Sequence, residues 1–550
     1  MQKFLTILTA CAALTALSGC NDQAEITATD TSNPNPLIMI GIDGATWDVI
    51  DPMIEKGELP NMARLRDTGA WGPLITVGPQ VSPVVWSSFG TGQFGRQHGI
   101  LDFVYPYQPG PKRPVQSTER QSPALWNLVS DAGSKVSVVG YFVTYPSENI
   151  NGTMVSYKSP QKQPGADFPA DALEPIREEL DSIKAVGEDR EALWSRFLPW
   201  DFDPKNPPAE DDPTAEAFKM VSGRVERRIL HAEYNRRAAL YLAGYPHDVF
   251  ISYFGLVDFA SHSLWKYYDD TDFEVKADPE TKRLLGNVIP ETYRYMDEYI
   301  GDLLAKAPKN ANVIIVSDHG FGSATGRFSV KEHNRELLTG NHRPNGIFLA
   351  TGPDIQAGRI DGLTIMDVFP ALAYLSGIPV ADDLPGDLDL QLFTDKRLED
   401  IPPTFTRAYT SSATAVENTP SASRQAQEDN VKSLQGLGYV GESFELGDTE
   451  TQAFDFWAAD RELIIQHMVG ELTFYLLKED AETAGMVLSE ARTHDKTLPL
   501  RILSRTQQAL QGIREFINEQ AAPDSAFAFI RSARAIEVKR ATKKTTGDTQ

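Results

Sequence analysis

The chain has 550 residues, 76 acidic against 52 basic, giving a formal net charge of −24. So acidic a composition excludes a nucleic-acid scaffold and excludes docking onto anionic lipid by charge. It leaves an anionic small-molecule substrate open, because a bound metal ion reverses the sign locally.

Residues 1–20 carry Lys3, an apolar run from Phe4 to Leu17, and the ending Leu17-Ser18-Gly19-Cys20. This predicts a secretory signal, too short to span a bilayer. The ending resembles a bacterial lipobox. That resemblance implies cleavage before Cys20, lipidation of that cysteine, and a membrane-anchored lipoprotein on the periplasmic side of the bacterial envelope. The other cysteine, Cys11, leaves with the signal, so neither a disulfide nor a thiol metal ligand is expected. Residues 21–36 are polar and aperiodic, which predicts a flexible tether.

Leu37-Ile38-Met39-Ile40-Gly41-Ile42 reads as a strand buried on both faces, as in a parallel sheet, and it ends in Asp43-Gly44. From Asp48 to Gly69 the spacing is helical, with Ile54, Leu59, Met62 and Leu65 facing inward. Ser82 then stands before Pro83 at the start of an apolar helical stretch. Its hydroxyl fits either a helix cap or a position where backbone N–H groups and the helix dipole favour an anion. No Gly-x-Ser-x-Gly elbow is present, which weighs against a Ser-His-Asp hydrolase.

Residues 135–140 predict another strand. The stretch 150–215 is rich in Pro, Asp and Glu, with Phe197, Trp200 and Phe202 interleaved. It reads as an insertion, either a cap over the active face or a solvated excursion. A helix is expected over 214–244, and Asp248–Phe254 is a strand followed by Asp258-Phe-Ala-Ser-His262. A separation of four puts Asp258 and His262 on one face of a helical turn. A helix over 281–306 leads into Val313-Ile314-Ile315-Val316, a buried strand that runs into Ser317-Asp318-His319-Gly320. In open α/β sheets ligands bind beyond the carboxyl ends of the strands. Adjacent Asp318 and His319 offer an oxygen and a nitrogen to one divalent ion, with a closing turn as the alternative. Two apolar strands that both end in Asp followed shortly by Gly favour a shared metal site over two separate turns. His342 lies in a turn-rich Gly340-Asn-His342 loop before the strand 347–350.

Taken together, Ile-Gly-Ile-Asp43-Gly, the run from Ser82 through Trp86, Thr91-Gly92 and His98-Gly99, Asp258-x-x-x-His262, Ser-Asp318-His319-Gly320 and Gly-x-His342 resemble the alkaline phosphatase superfamily. The nearest branch is the type I phosphodiesterase/nucleotide pyrophosphatase group, and the resemblance covers about residues 36–395. It implies an α/β fold, a three-layer α/β/α sandwich over 37–400 with the insertion at about 150–215. It also implies a metal-dependent phosphoric ester hydrolase (phosphodiesterase, nucleotide pyrophosphatase or phosphatase) acting on a small phosphate-ester substrate. Two divalent ions are implied, zinc or alternatively manganese. One is held by Asp43, Asp318, His319 and Ser82, the other by Asp258, His262 and His342, with Ser82 the nucleophile of a covalent phosphoseryl intermediate. Sulfatases of the superfamily need Cys or Ser followed by x-Pro-x-Arg, whereas Ser82 is followed directly by Pro83. Pro83 has no N–H to give a phosphate oxygen, and Arg96 or the inserted cap is the stand-in considered. The same fold implies two alternatives, a phospho-group transferase (for example of phosphoglycerol) and an inert envelope scaffold.

Residues 401–450 predict a linker, Ser/Thr/Ala-rich between Tyr409 and Asp429, with Leu434–Tyr439 a short motif often found trailing such enzymes. Residues 451–530 show helical periodicity through Trp457, Leu463, Ile464, Met468, Leu472, Tyr475 and Leu476, which predicts a small helical unit. Residues 531–550 are polar and read as a disordered tail.

Overall fold

Strand β1 (Leu37–Ile42) is buried along its whole length at the middle of a nine-stranded sheet. The computed structural model describes residues 35–516 except 109, 184–187, 199–202, 204–205, 223–224 and 326–337, and only scattered positions within 410–453. The signal, nearly all of the tether, Trp200, Phe202, most of 434–439 and the tail therefore lie outside the described residues.

In chain order the strands that matter are β2 (Ala70–Ile75), β3 (Val136–Val139), β4 (Gly152–Val155), β5 (Asp167–Phe168) and β6 (Val249–Phe254). After them come β7 (Asn312–Val316), β8 (Gly320–Ser323), β9 (Gly340–Arg343), β10 (Asn345–Thr351) and β11 (Gly358–Arg359). The sheet order is β11-β2-β10-β7-β1-β6-β3-β4-β5, while β8 and β9 form a separate hairpin. β1 pairs in parallel with both β6 and β7, so all three release their chains at the same edge. β10 runs antiparallel between β7 and β2.

The period of two along β1 builds the layers. Ile38, Ile40 and Ile42 enter one apolar cluster, and Leu37 and Met39 enter the other. The first cluster is closed by α1 (Trp47–Glu55), α2 (Pro60–Thr68), α5 (Val225–Leu242), α6 (Leu256–Tyr268) and α7 (Val288–Lys306). The second is closed by α3 (Ser82–Thr91), α4 (Leu125–Asp131) and α8 (Ile365–Leu375). The α/β/α sandwich expected from sequence is the fold observed.

Three differences have local causes. The helical spacing over 48–69 divides into α1 and α2, because Pro60 sits at a helix start and cannot supply an interior N–H. The stretch 150–215 is not a free excursion: β4 and β5 extend the sheet, and Phe197 packs edge-on against Tyr295 of α7 at 5.5 Å. The region 401–450 is not linker throughout either, since Phe405–Thr406 pairs with Val380–Ala381. Beyond it α9 (Arg461–Leu477), α10 (Ala481–His494) and α11 (Leu498–Phe516) form the expected helical unit, which shares a core with Leu101, Tyr105 and Tyr107. Among the described residues no helix is long and apolar enough to cross a membrane.

Candidate metal centre and nucleophile

Asp43 follows β1, Asp258 lies in the first turn of the helix after β6, and Asp318-His319 follow β7. Parallel pairing of these strands brings the three carboxylates to one edge. His342 arrives from the β8–β9 hairpin, in register with Phe321. Gly44 makes the turn possible: its φ is +74°, and a Cβ there would lie 2.9 Å from the Asp258 Cα.

The imidazoles converge. His319 Nε2 is 3.4 Å from Asp43 Oδ1, 3.4 Å from Asp318 Oδ2 and 3.9 Å from Asp258 Oδ1. Asp258 Oδ1 is 3.3 Å from His262 Nε2 and 3.4 Å from His342 Nε2. Each ring faces a backbone carbonyl through Nδ1: His262 toward Gly340 at 3.2 Å, His319 toward Gly320 at 3.1 Å, His342 toward Gln80 at 2.9 Å. A carbonyl only accepts, so the proton is assigned to Nδ1 and the Nε2 lone pair faces the centre in all three.

Four buried atoms there have no hydrogen-bond partner among the described residues: Asp43 Oδ1, Asp258 Oδ1, Asp318 Oδ2 and His319 Nε2. Each such orphan costs about 1–3 kcal/mol, more when charged. Their ligand atoms fall into two groups, Asp43 with Asp318 and His319, and Asp258 with His319 and His342, each within 4.8 Å. The donors are oxygen and nitrogen with no sulfur, which suits a divalent ion such as zinc or manganese. The residues present therefore fit two cations.

The titration behaviour has the same origin. Burial, then the charge of Asp258, raises the Asp43 carboxyl, and burial, then Asp43, raises Asp318. Burial opposes charge on Asp258 also, but His262 and His342 outweigh it and hold that carboxyl low. Burial, then His342, pushes His319 well below the usual imidazole range. Three carboxylates this close resist ionising together unless positive charge is supplied.

Ser82 opens α3 and is buried. Val81, not Ser82, is the capping residue, and no side-chain cap bond exists, so the hydroxyl is not spent as a helix cap. Two tethers set its position. Upstream, the Gln80 carbonyl faces His342; one turn downstream, Trp86 Nε1 donates to Asp43 Oδ2 at 3.1 Å. The N–H groups of Val84 and Val85 both close onto the Val81 carbonyl. With Pro83 lacking one, the first turn of α3 offers a substrate mainly its dipole. Arg96 does not fill the gap: its guanidinium is bound to Glu471, with 2.9 Å contacts to each oxygen, and to Glu490.

Two supporting residues went unassigned in the sequence reading. Trp86 stands four residues after Ser82, on the same helical face, and Tyr253 lies beside Gly41 in the β1–β6 register. Tyr253 donates to Asp43 Oδ2 at 2.6 Å. Gly41 makes room for the indole, since a Cβ there would lie 2.5 Å from Trp86 Cζ3.

This layout is that of the alkaline phosphatase superfamily, and the protein is a phosphoric ester hydrolase of that class. Over residues 37–358 the chain matches the family model described as type I phosphodiesterase / nucleotide pyrophosphatase, and it belongs to that family. Among solved structures it is similar to human ectonucleotide pyrophosphatase/phosphodiesterase 5, at 14% identity and a TM-score of 0.39, covering 66% of this chain and 100% of that one. The inactive murine counterpart in complex with AMP is 12% identical at a TM-score of 0.37, with the same 66% and 100% coverage. Phosphonoacetate hydrolase from Sinorhizobium meliloti is 17% identical at a TM-score of 0.30, covering 53% and 58% of the two chains. A comparison with curated proteins gave no match.

Proposed function

We propose that the protein is a phosphodiesterase that works through Ser82 beside two divalent cations, most simply zinc. The observation that carries this is the meeting of three Nε2 lone pairs with three carboxylates, four of whose facing atoms are orphaned. Asp43, Asp318, His319 and Ser82 would hold one ion, and Asp258, His262 and His342 the other. Such a pair supplies Lewis acidity to both sides of an in-line displacement at phosphorus.

The chain's own residues do the rest. Ser82 Oγ attacks phosphorus, giving up its proton to solvent; the new Ser O–P bond forms as the bond to the leaving oxygen breaks, and that oxygen takes up a proton. Water then attacks the phosphoserine, restoring the hydroxyl and releasing the phosphoryl product. Trp86 and Tyr253 fix Asp43 through its outer oxygen, leaving Oδ1 turned inward.

Turnover of bis-p-nitrophenyl phosphate by the zinc-loaded protein, set against its Ser82→Ala variant, tests the assignment. Loss of at least about 1,000-fold is expected for removal of a covalent nucleophile; hydrolysis at the parent rate by the variant overturns it. Comparing the p-nitrophenyl monoester separates diesterase from monoesterase, and transfer to added glycerol would mark a transferase.

We further propose attachment to the periplasmic side of a bacterial membrane through lipidated Cys20. The support is the signal-like residues 1–20. Metabolic palmitate labelling of the parent and of Cys20→Ser decides it, since equal labelling of both excludes this anchor.

A further inference from the structure

α9 lies across both ends of the helix that Ser82 opens. Its buried residues His467, Gly470, Glu471 and Phe474 recur at i, i+3, i+4 and i+7, the spacing of a single helical face. Beyond the end of α3, a Cβ on Gly95 would meet the His467 ring at 2.4 Å, and Phe474 packs edge-on against Phe94 at 5.4 Å. Before the start of α3, Gly470 presses on Gly78. A Cβ on Gly470 would lie 2.2 Å from the Gly78 Cα and 2.8 Å from its nitrogen. Inside a helix glycine is a poorer choice than alanine, so this position calls for a reason. Here the reason is that backbone meets backbone, and Gly78 cannot swing aside as a side chain could. Gly485 of α10 has no such neighbour, with nothing within 4 Å of its Cβ position.

What Gly78 carries gives the contact its meaning. The loop of residues 76–81 is tied to the metal cradle on its other side. Thr76 Oγ1 donates to the Asp318 carbonyl, and the Thr76 N–H donates to the Pro344 carbonyl at 2.7 Å. The Gln80 carbonyl faces His342 Nδ1, and Ser82 follows two residues on. The loop is thus held between the cradle and α9. The family match ends at residue 358, so this backing comes from a part of the chain outside it.

We propose that Gly470 is a positioning residue for the reaction. Through Gly78 it sets the loop that aims the Gln80 carbonyl at His342 and leads the chain into Ser82. The C-terminal helical unit is then the back wall of the site rather than an appendage to it. The effect on turnover rests on the phosphodiesterase reading, but the effects on the loop and on the cation beside His342 do not.

Gly470→Ala in the full-length protein is the test, with Gly485→Ala as its control. Ordinary carbon contact begins at 3.4 Å, so the added methyl displaces the loop by about 1 Å. Without metal, amide exchange over residues 78–85, read by mass spectrometry, should quicken about tenfold. Zinc titration should show one of two ions weakened about 10- to 100-fold, the range for disturbing the outer partner of a metal ligand. On bis-p-nitrophenyl phosphate kcat should fall about 100-fold, the cost of a misplacement of about 1 Å. Gly485→Ala should leave all three at the parent values.

Parent-like exchange over 78–85 together with parent-like zinc affinity in Gly470→Ala overturns the proposal. A lowered Tm accompanied by those parent values means a glycine needed for packing alone, and overturns it equally. If Gly470→Ala yields no folded protein, the parent decides. Coupling between sites is reciprocal, so zinc should slow amide exchange over 467–474 about tenfold more than it slows exchange in α10. Equal slowing of the two helices sinks the positioning role. Should the parent not hydrolyse the diester, the enzymatic reading fails, while exchange and zinc affinity still decide whether Gly470 sets the loop.

Discussion

His262 Nε2 and His342 Nε2 lie 2.9 Å apart, although both rings turn Nδ1 toward a backbone carbonyl. Two inward lone pairs at that distance repel unless a cation lies against them. Bound metal is therefore expected to be a large part of the native stability, because the unfolded chain has no such cradle. Stripping with a chelator should lower Tm by on the order of 10 °C, and zinc should restore it. A Tm that ignores both treatments, read by scanning calorimetry, would exclude a metal cradle here.

Trp86 carries the second expectation. Trp86→Phe keeps the ring in its pocket but removes the N–H that fixes Asp43 Oδ2. Loss of an outer hydrogen bond to a metal ligand costs about 10- to 100-fold in metal affinity or activity. Zinc titration of the variant should show that weakening in the site built on Asp43. Unchanged affinity together with unchanged turnover would mean that Tyr253 alone suffices.

The third concerns Arg96, which sits just beyond α3 and grips Glu471 of α9. Glu471 is 1% exposed, so Arg96→Ala leaves a buried carboxylate alone, at a cost of about 3–5 kcal/mol. Replacing both partners by methionine should recover most of it. The denaturant midpoints of the three proteins decide the matter: equal values for the single and double variants would contradict the argument.

Acid should loosen the same junction. Burial, then His467, drops the His98 pKa to about 3; burial drops His467 to about 4. A histidine depressed in the folded state takes up its proton on unfolding. Between about pH 4 and 6.5 the unfolded chain thus holds more protons, and stability is lost as pH falls through that window. His467→Gln keeps a donor for the Leu101 carbonyl, which His467 Nε2 faces at 3.0 Å, but cannot charge. The Tm gap between parent and variant should therefore narrow from pH 7.5 to pH 4.5. A gap that stays constant would remove His467 from the acid response.

The fold was legible where one signal dominated. Four consecutive β-branched residues at 313–316 and the apolar run at 37–42 declare buried parallel strands, and each ends in an acid because parallel strands deliver their carboxyl ends to one edge. Asp258 and His262 were readable from a spacing of four. What stayed hidden depended on contacts distant in sequence. Arg96 looked available to a substrate only because Glu471 is 375 residues away. The Ser82 hydroxyl could not be separated from a helix cap until Val81 was seen to occupy that role. Tyr253 reads as one more strand aromatic unless its register with Gly41 is known.

The core shared by Leu101, Tyr105 and Tyr107 with α9–α11 has a consequence for how the chain is made. His467 and the Leu101 carbonyl it faces are 366 residues apart. At about 5–20 residues per second, a ribosome needs on the order of 20–70 s to travel between them. Through that interval the segment following the Ser82 helix has no cover for its apolar side chains. Final closure of the catalytic half thus waits on the last quarter of the polypeptide. A chain cut short after residue 450 would leave that patch bare and prone to self-association.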